Sequence, residues 1–360
     1  MSTILITGGN GFVGRHLVTA LLGRGDRVRV LALPAEDAQW LSQRGVEVYR
    51  GDIRDSGSLT EPVRGADAVL HLAAMMDVWR PIRDYRAVNV TGTENIARAA
   101  LAAGVRRFVH MSSSSVYGMG HGRPVDESFP LAPFPDPYPV TKAEGDLAVQ
   151  RMIATDQLPA VIIRPDQIFG PGDHLHFGAM ADRLRAGRGI LVGSGGNFMP
   201  FVYVDDVVRG LLLGLDHDEA PGHAYNITND RPLTQRQMLT AIAEQVGGSP
   251  PGRRVPYRAL YAAGYLAERL AALAPSGTRP PVTRLGVAFF GTGNRYAIGR
   301  ARSELGYRPV VDLRDGVALT AAWYLRHARS GTAAPAQASP AATAASAAPI
   351  SSEAAEGVAS

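Results

Sequence analysis

The run that most limits the fold stands at the start of the chain. Thr3-Ile4-Leu5-Ile6-Thr7 is short, β-branched and apolar, and it passes at once into Gly8-Gly9-Asn10-Gly11-Phe12-Val13-Gly14. Arg15 to Arg24 then carries Leu17, Val18, Leu21 and Leu22 at helical spacing, Gly25 closes the run, and Arg27-Val28-Arg29-Val30-Leu31 returns to strand character. Strand, glycine turn, helix and strand make a βαβ unit, whose strands lie parallel in one sheet. Glycine at positions 8, 11 and 14 leaves no Cβ to hold a ligand off the backbone, so N–H groups at the helix start can approach a pyrophosphate. The spacing alone is weak. Its place after the first strand and at the opening of a helix is the context that gives it meaning.

The same alternation continues. Strands are predicted at Val46–Tyr49, Ala68–Leu72, Arg107–Met111 and Ala160–Ile163, with helices over 87–103 and 138–155. This rhythm predicts an α/β fold, a doubly wound parallel sheet of Rossmann type. After Arg164 the pattern loosens. Gly170-Pro171-Gly172 breaks the chain, and 174–199 holds one helix and a glycine-rich turn. Phe201-Val202-Tyr203, a helix over 204–216 and a strand over 224–227 read as a return to the main sheet. Residues 1–171, with 200–229 returning, are therefore expected to form the dinucleotide-binding domain, and 172–199 with 230–329 a smaller, mostly helical substrate-binding lobe. Residues 330–360 are almost all Ala, Ser, Pro, Thr and Gly, cannot bury a core, and are expected to be a disordered tail.

One residue type is singular. Lys142 is the only lysine among 37 Lys+Arg residues. A chain that uses arginine at every other basic position has no general need for an ammonium, so Lys142 points to chemistry that the wide, planar guanidinium cannot supply. Tyr138, four residues earlier in Tyr138-Pro139-Val140-Thr141-Lys142, shares a helix face with it. An ammonium beside a phenol favours phenolate and suits the phenol to proton transfer. Ser112-Ser113-Ser114-Ser115-Val116-Tyr117-Gly118 follows the fifth strand, at the carboxyl end where such sheets bind ligands. A hydroxyl there can hold the oxygen that Tyr138 protonates.

The adenosine end is less specified. The second strand ends in Ala32-Leu33-Pro34, with neither an acid for a ribose hydroxyl nor an arginine for a 2′-phosphate. Arg15 is either a 2′-phosphate contact or a solvated helix residue. Asp52 is either an acceptor for adenine or a turn aspartate.

Composition excludes several classes. With no cysteine there is no disulfide framework and no thiolate chemistry, and a cytoplasmic location is expected. Net charge is +4 and the arginines are dispersed rather than interleaved with aromatics in a stripe, so no nucleic-acid partner is expected. The opening MSTILITGGNGF lacks a basic n-region and a cleavage site, and no apolar stretch is long enough to span a bilayer. Any membrane contact would be peripheral. The apolar helix 257–273 caps a pocket, touches a membrane surface or lies buried in the lobe. His174 and His176 form an H-x-H pair without an obvious third ligand, and no metal is expected.

Taken together, the chain resembles the extended short-chain dehydrogenase/reductase superfamily, which includes epimerases and dehydratases. The resemblance covers about residues 3–325. It rests on Thr7 to Gly14, Asp52-Ile53, His71-Leu72-Ala73-Ala74, Asn89-Val90-Thr91-Gly92-Thr93, the serine run, Tyr138-x-x-x-Lys142, Arg164-Pro165-x-x-Ile168-Phe169-Gly170-Pro171-Gly172 and Val204-Asp205-Asp206. It implies Tyr138 as general acid/base, Lys142 as the group that binds the nicotinamide ribose, and Ser113 as the third catalytic member, with Ser114 its close competitor. The implied cofactor contacts are Gly8, Gly11, Phe12, Val13, Gly14, Asp52, Ile53, Leu72, Ala73, Ala74, Asn89, Tyr138, Lys142, Pro165 and Ile168. The implied cofactor is NAD or NADP, with NAD slightly favoured. Arg164 is implied as a structural or near-site residue, and helices 87–103 and 138–155 as the faces of a homodimer.

Within that superfamily, sugar-nucleotide members usually place an arginine after the glycine turn to hold a diphosphate, and this chain has Met199 there. An apolar side chain cannot counter a phosphate. Met75, Met76 and Trp79 stand at the expected substrate mouth, making Met75, Ser114 and Met199 the candidate substrate contacts. Together with Ala224 to Pro232 this looks more like the 3β-hydroxysteroid and sterol-4-carboxylate dehydrogenases, or the reductases of long-chain 3-oxo acids. The resemblance implies an oxidoreductase that interconverts a secondary alcohol and a ketone on an apolar or amphiphilic small molecule. The alternatives are a nucleotide-sugar 4-epimerase or dehydratase with tightly bound NAD, and a binding protein that holds NAD(P) without turnover.

Overall fold

Seven strands form one parallel sheet: β1 (Thr3–Thr7), β2 (Arg27–Ala32), β3 (Glu47–Arg50), β4 (Ala68–His71), β5 (Arg107–Met111), β6 (Ala160–Pro165) and β7 (Ala224–Ile227). They lie in the order β7-β6-β5-β4-β1-β2-β3, and every pairing is parallel. The chain leaves β1 toward β2 on one side and later returns to β4 on the other. This reversal opens a crevice at the carboxyl ends of β1 and β4, where ligands bind in open α/β sheets. The computed structural model describes residues 1–76, 78–273 and 280–329. The tail expected over 330–360 lies outside the described residues.

Strand alternation sorts the core onto two faces. Ile4, Ile6, Val28, Val30, Leu70, Val109 and Val161 pack with Leu17 and Val18 of α1 (Phe12–Gly23) and with Val207 and Leu211 of a later helix, Val204–Asp216. Leu5, Leu31, Val69, Phe108 and Ile162 pack on the opposite face with Ile96 and Ala100 of α2 (Thr93–Ala102) and Val149 and Met152 of α3 (Pro137–Asp156). The first cluster runs on into Met238, Ile242, Tyr307 and Val317, so the C-terminal region shares a core with the sheet.

Two expectations change. Phe201–Tyr203 does not return to the main sheet; it pairs with Gln167–Phe169 in a separate two-stranded parallel sheet. The strand expected over 224–227 does return: β7 takes the position beside β6, its Ala224–Ile227 run pairing with Ile162–Pro165. The apolar helix Tyr257–Leu273 is not buried. Only Gly264 is, where it lies against the backbone of Thr283 and Arg284, while Leu266, Leu270 and Leu273 face solvent. Glu268 is paired with Arg284 at 2.6 Å and helps hold that one inward edge. Among the described residues, no helix is long and apolar enough to cross a membrane.

Candidate active site

The glycine turn is built for close approach. Gly8 has φ +73° and a Cβ there would stand 2.8 Å from the Ala73 nitrogen; one on Gly14 would stand 2.2 Å from the Gly8 carbonyl oxygen. Gly11 opens α1 with no side-chain cap and no acid in the first turn, so the first N–H groups and the positive helix end have no anionic side chain against them. These residues fit a dinucleotide pyrophosphate. Gly14→Ala is expected to abolish measurable cofactor binding and to lower thermal stability. A calorimetric titration with NAD in which the variant bound like the parent would contradict that role for the turn.

Opposite the turn, Leu72 and Met75 are buried and Ala73 and Ala74 half-buried on the exit from β4. This exit is tied to the helix that carries Tyr138. Asn89 accepts from the Met75 N–H (2.7 Å), donates to the Met75 carbonyl (3.0 Å) and donates to Thr141 Oγ1 (3.0 Å). Asn89 sits in a π-helical turn, Ala87–Gly92, and Gly145 of α3 abuts its carbonyl, since a Cβ there would lie 2.3 Å away. With both amide N–H groups donated and its oxygen accepting, Asn89 ties the cleft wall to α3. His71 adds a second tie, between Thr7 Oγ1 (2.7 Å) and Thr93 Oγ1 (2.9 Å). Burial, with the Lys142 charge, pulls His71 down to about 3, so it is neutral. Thr93 donates to the Asn89 carbonyl, so its oxygen accepts from Nε2–H, and Nδ1 accepts from Thr7.

Asp136 caps α3 by accepting from the Tyr138 N–H at 3.2 Å, and Pro137 takes the first helical position. Tyr138 is half-buried at this end of α3. Lys142, one turn on, is only 4% exposed, and its Nζ donates to the Met111 carbonyl at the end of β5 (2.7 Å). Burial pulls the amine down to about 8, against the pull of Asp146.

The serine run follows β5 as Ser112 and a 3-10 turn, Ser114–Tyr117, packed against α3. Its hydroxyls are distinct in surroundings. Ser112 donates to Asp146 at 2.6 Å. Ser113 is half-buried and caps the turn, accepting from the Ser115 N–H at 3.2 Å. Ser114 is buried. Beneath the turn, Arg164 donates twice to Asp146 (2.9 and 2.8 Å) and once to the Tyr117 hydroxyl (2.7 Å), which donates to Asn226 (2.9 Å). Burial opposes a charged Asp146, but the Arg164, Ser112 and Gln150 hydrogen bonds prevail and hold it below the usual carboxylate range. Sequence reading missed Asp146 and Asn226. Asp146 lies one helical turn past Lys142 on the same face, which was the available signal.

Other candidates stand as follows. Val13, Ile53 and Pro165 are buried and Phe12 and Ile168 half-buried, with Ile53 packed under Gly92 and Phe12 against Gly172. Asp52 is clasped by Arg54, which donates to both carboxylate oxygens, so its acceptors are engaged within its own turn. Arg15 donates to Asn10 and lies over the Trp40 ring. Met199 is 1% exposed and belongs to the main core, so the structure does not bring it to the cleft surface. His174 packs edge-on against Trp323, and Asp173 accepts from the N–H groups of His176 and Phe177.

Comparison with known proteins identifies the family. Residues 4–228 match the NAD dependent epimerase/dehydratase family. The chain is 33% identical to the 2-alkyl-3-oxoalkanoate reductase of Stenotrophomonas maltophilia, over 87% of this chain and 97% of that protein. It is also 33% identical to 3beta-hydroxysteroid-dehydrogenase/decarboxylase isoform 1 of Arabidopsis thaliana, over 88% and 78% respectively. The crystal structure of DesIV, the dTDP-glucose 4,6-dehydratase of Streptomyces venezuelae with NAD bound, superposes with a TM-score of 0.72 at 30% identity, covering 90% of this chain and 97% of that one. The match spans more than half the chain, and the chain therefore belongs to the NAD dependent epimerase/dehydratase family, as an extended short-chain dehydrogenase/reductase enzyme.

Proposed function

We propose that this enzyme is an NAD(P)-dependent oxidoreductase that interconverts a secondary alcohol and a ketone on an apolar or amphiphilic substrate. The observation that carries the reading is the buried ammonium of Lys142, anchored on Met111 one turn from Tyr138 at the mouth of the crevice. Bound NAD or NADP exchanges the hydride. Gly8, Gly11 and Gly14 would hold its pyrophosphate and Lys142 its nicotinamide ribose. Tyr138 exchanges the proton of the substrate oxygen, and Ser113 orients that oxygen. The assignment of Ser113 over Ser114 is supported by exposure, since Ser114 is buried and Ser113 only half-buried. An apolar substrate is supported by the names of the reductase and hydroxysteroid dehydrogenase relatives.

The test is to incubate the protein with NADH or NADPH and 2-alkyl-3-oxoalkanoates, 3-oxosteroids, and UDP- or dTDP-sugars. Net oxidation of reduced cofactor by one of the first two classes is expected. Conversion of a nucleotide sugar with no net cofactor change would replace this reading with an epimerase or dehydratase, for which the likeness to DesIV is the support. Thermal shift with each cofactor separates NAD from NADP. We further propose that the enzyme works in the cytoplasm as a homodimer, with α2 and α3 of two copies packed together. Leu147, an exposed leucine on α3, is the apolar residue such a face would cover. Light scattering should give twice the chain mass of 38.2 kDa, and a monomer at working concentration would rule the dimer out.

A further inference from the structure

The helix Tyr257–Leu273 has a face that no described part of the chain covers. Ala259, Ala263, Leu266, Leu270 and Leu273 recur at alternating steps of four and three, which sets them in one stripe along it. The three leucines are 60%, 68% and 83% exposed. Gly264 and Glu268 lie on the opposite edge, the one held to Thr283 and Arg284. Leucines scattered singly on a surface are ordinary, whereas three in one stripe mark an interaction surface.

The charges around the stripe are almost all of one sign. Residues 253–273 and 280–291 comprise this helix, the short strand before it and the helix Arg284–Gly291 packed on it, and they carry five arginines and one glutamate. That excess of four equals the net charge of the entire chain. The one acid, Glu268, is turned inward onto Arg284. Arg258 and Arg269 are exposed along the flank of the stripe, Arg253 and Arg254 are exposed just before the helix, and none of the four has a carboxylate partner among the described residues. Arg269 donates to the Tyr265 hydroxyl at 3.1 Å and lies over its ring.

We propose that this helix is a docking surface for an anionic lipid bilayer. It lies flat, with Leu266, Leu270 and Leu273 at the acyl boundary and the arginines among the headgroup phosphates. With 17 residues and Arg258, Glu268 and Arg269 among them, it is suited to lying on a bilayer and not to crossing one. A second copy is the rival occupant of a stripe with this spacing. Helix pairs of that kind set opposite charges beside their seam, and here the flank offers Arg258 and Arg269 with no free acid to meet them. The surface is linked to the site: beyond the helix Arg284–Gly291 the chain reaches Asn294, which accepts from the Gly120 N–H at 2.8 Å just past the serine turn. On the substrate reading given above, docking brings the cleft to where an apolar substrate partitions; the docking itself does not depend on that reading.

The test floats the full chain with phosphatidylcholine vesicles prepared with and without phosphatidylglycerol. The parent should bind the anionic vesicles at least roughly tenfold more tightly than the neutral ones, and salt should weaken that binding. L266S/L270S should abolish it, and R258Q/R269Q should weaken it roughly 30-fold, about fivefold for each arginine. All four positions are exposed, so both variants should unfold thermally with the parent. The chain has no cysteine, so Leu270→Cys places a single environment-sensitive fluorophore, whose emission should shift to the blue only when anionic vesicles are added. No binding to anionic vesicles, equal binding to neutral ones, or unchanged binding in L266S/L270S overturns the proposal. A blue-shifted fluorophore without vesicles also overturns it: a shift that grows with protein concentration gives the face to a second copy, and one independent of concentration gives it to another segment of this chain. No turnover is measured, so failure here leaves the oxidoreductase reading standing, and failure of that reading leaves the docking result standing.

Discussion

Tyr138→Phe is expected to lower kcat by about 10³-fold and to leave cofactor affinity within about twofold, because general acid–base groups contribute 10² to 10⁴ in rate. The phenol ring packs against the second core cluster, and phenylalanine keeps that contact, so the loss reports the hydroxyl rather than the fold. Lys142→Arg should be as damaging, although it conserves charge. The native amine is so desolvated that its pKa falls to about 8. A guanidinium does not release its proton, so arginine would have to bury a full charge in a site that already resists one. Its wider head also cannot make the single short contact with the Met111 carbonyl. Lys142→Arg should therefore weaken NAD binding as well as turnover, unlike Tyr138→Phe. Stopped-flow turnover beside calorimetric NAD titration separates the two effects. A fully active arginine variant would leave the sole lysine without a chemical explanation.

The second large effect concerns the ion pair under the serine turn. Asp146→Ala should destabilise the fold by about 3–5 kcal/mol, the usual cost of leaving a buried charge without its partner. Arg164 is left in the same buried position, 3% exposed, with its main acceptor gone. Because the Asp146 carboxyl is held below its ordinary value, the stability it provides is complete above the carboxylate range and is lost as pH falls into strong acid. Arg164→Met alone should cost a similar amount. The double variant with Asp146→Ala and Arg164→Met should cost much less than the two single changes together, since it leaves no unpaired charge. Urea unfolding of the four proteins tests this; additive losses would mean that the pair is not coupled. Turnover in the double variant should stay low even if stability returns, because Tyr117 and Ser112 lose the partners that shape the turn.

Much of the scaffold was legible because its signals are local. The glycine turn needs residues without a Cβ at particular positions, and Gly8 and Gly14 meet backbone atoms at distances no side chain tolerates. Alternating apolar residues on β1, β2, β4 and β5 named the two core faces because strand period is two. Tyr138 and Lys142 share a face because they are one helical turn apart. Side-chain engagement was not legible. Asp52, Asn89 and Met199 all looked available in the chain, and the fold assigns each a partner or a place in the core.

The order of residues by itself determined the doubly wound sheet, the cradle at its first turn, and the single ammonium beside a phenol. Only the tertiary structure decided that Ser113, not Ser114, is the less buried hydroxyl of the two, and that Asp146 and Arg164 neutralise each other beneath them. It also turned the leucines of Tyr257–Leu273 to solvent. The physical reason is range. Periodicity and glycine sterics act within a few residues, whereas burial and charge pairing join atoms far apart in the chain and exist only once the sheet has assembled.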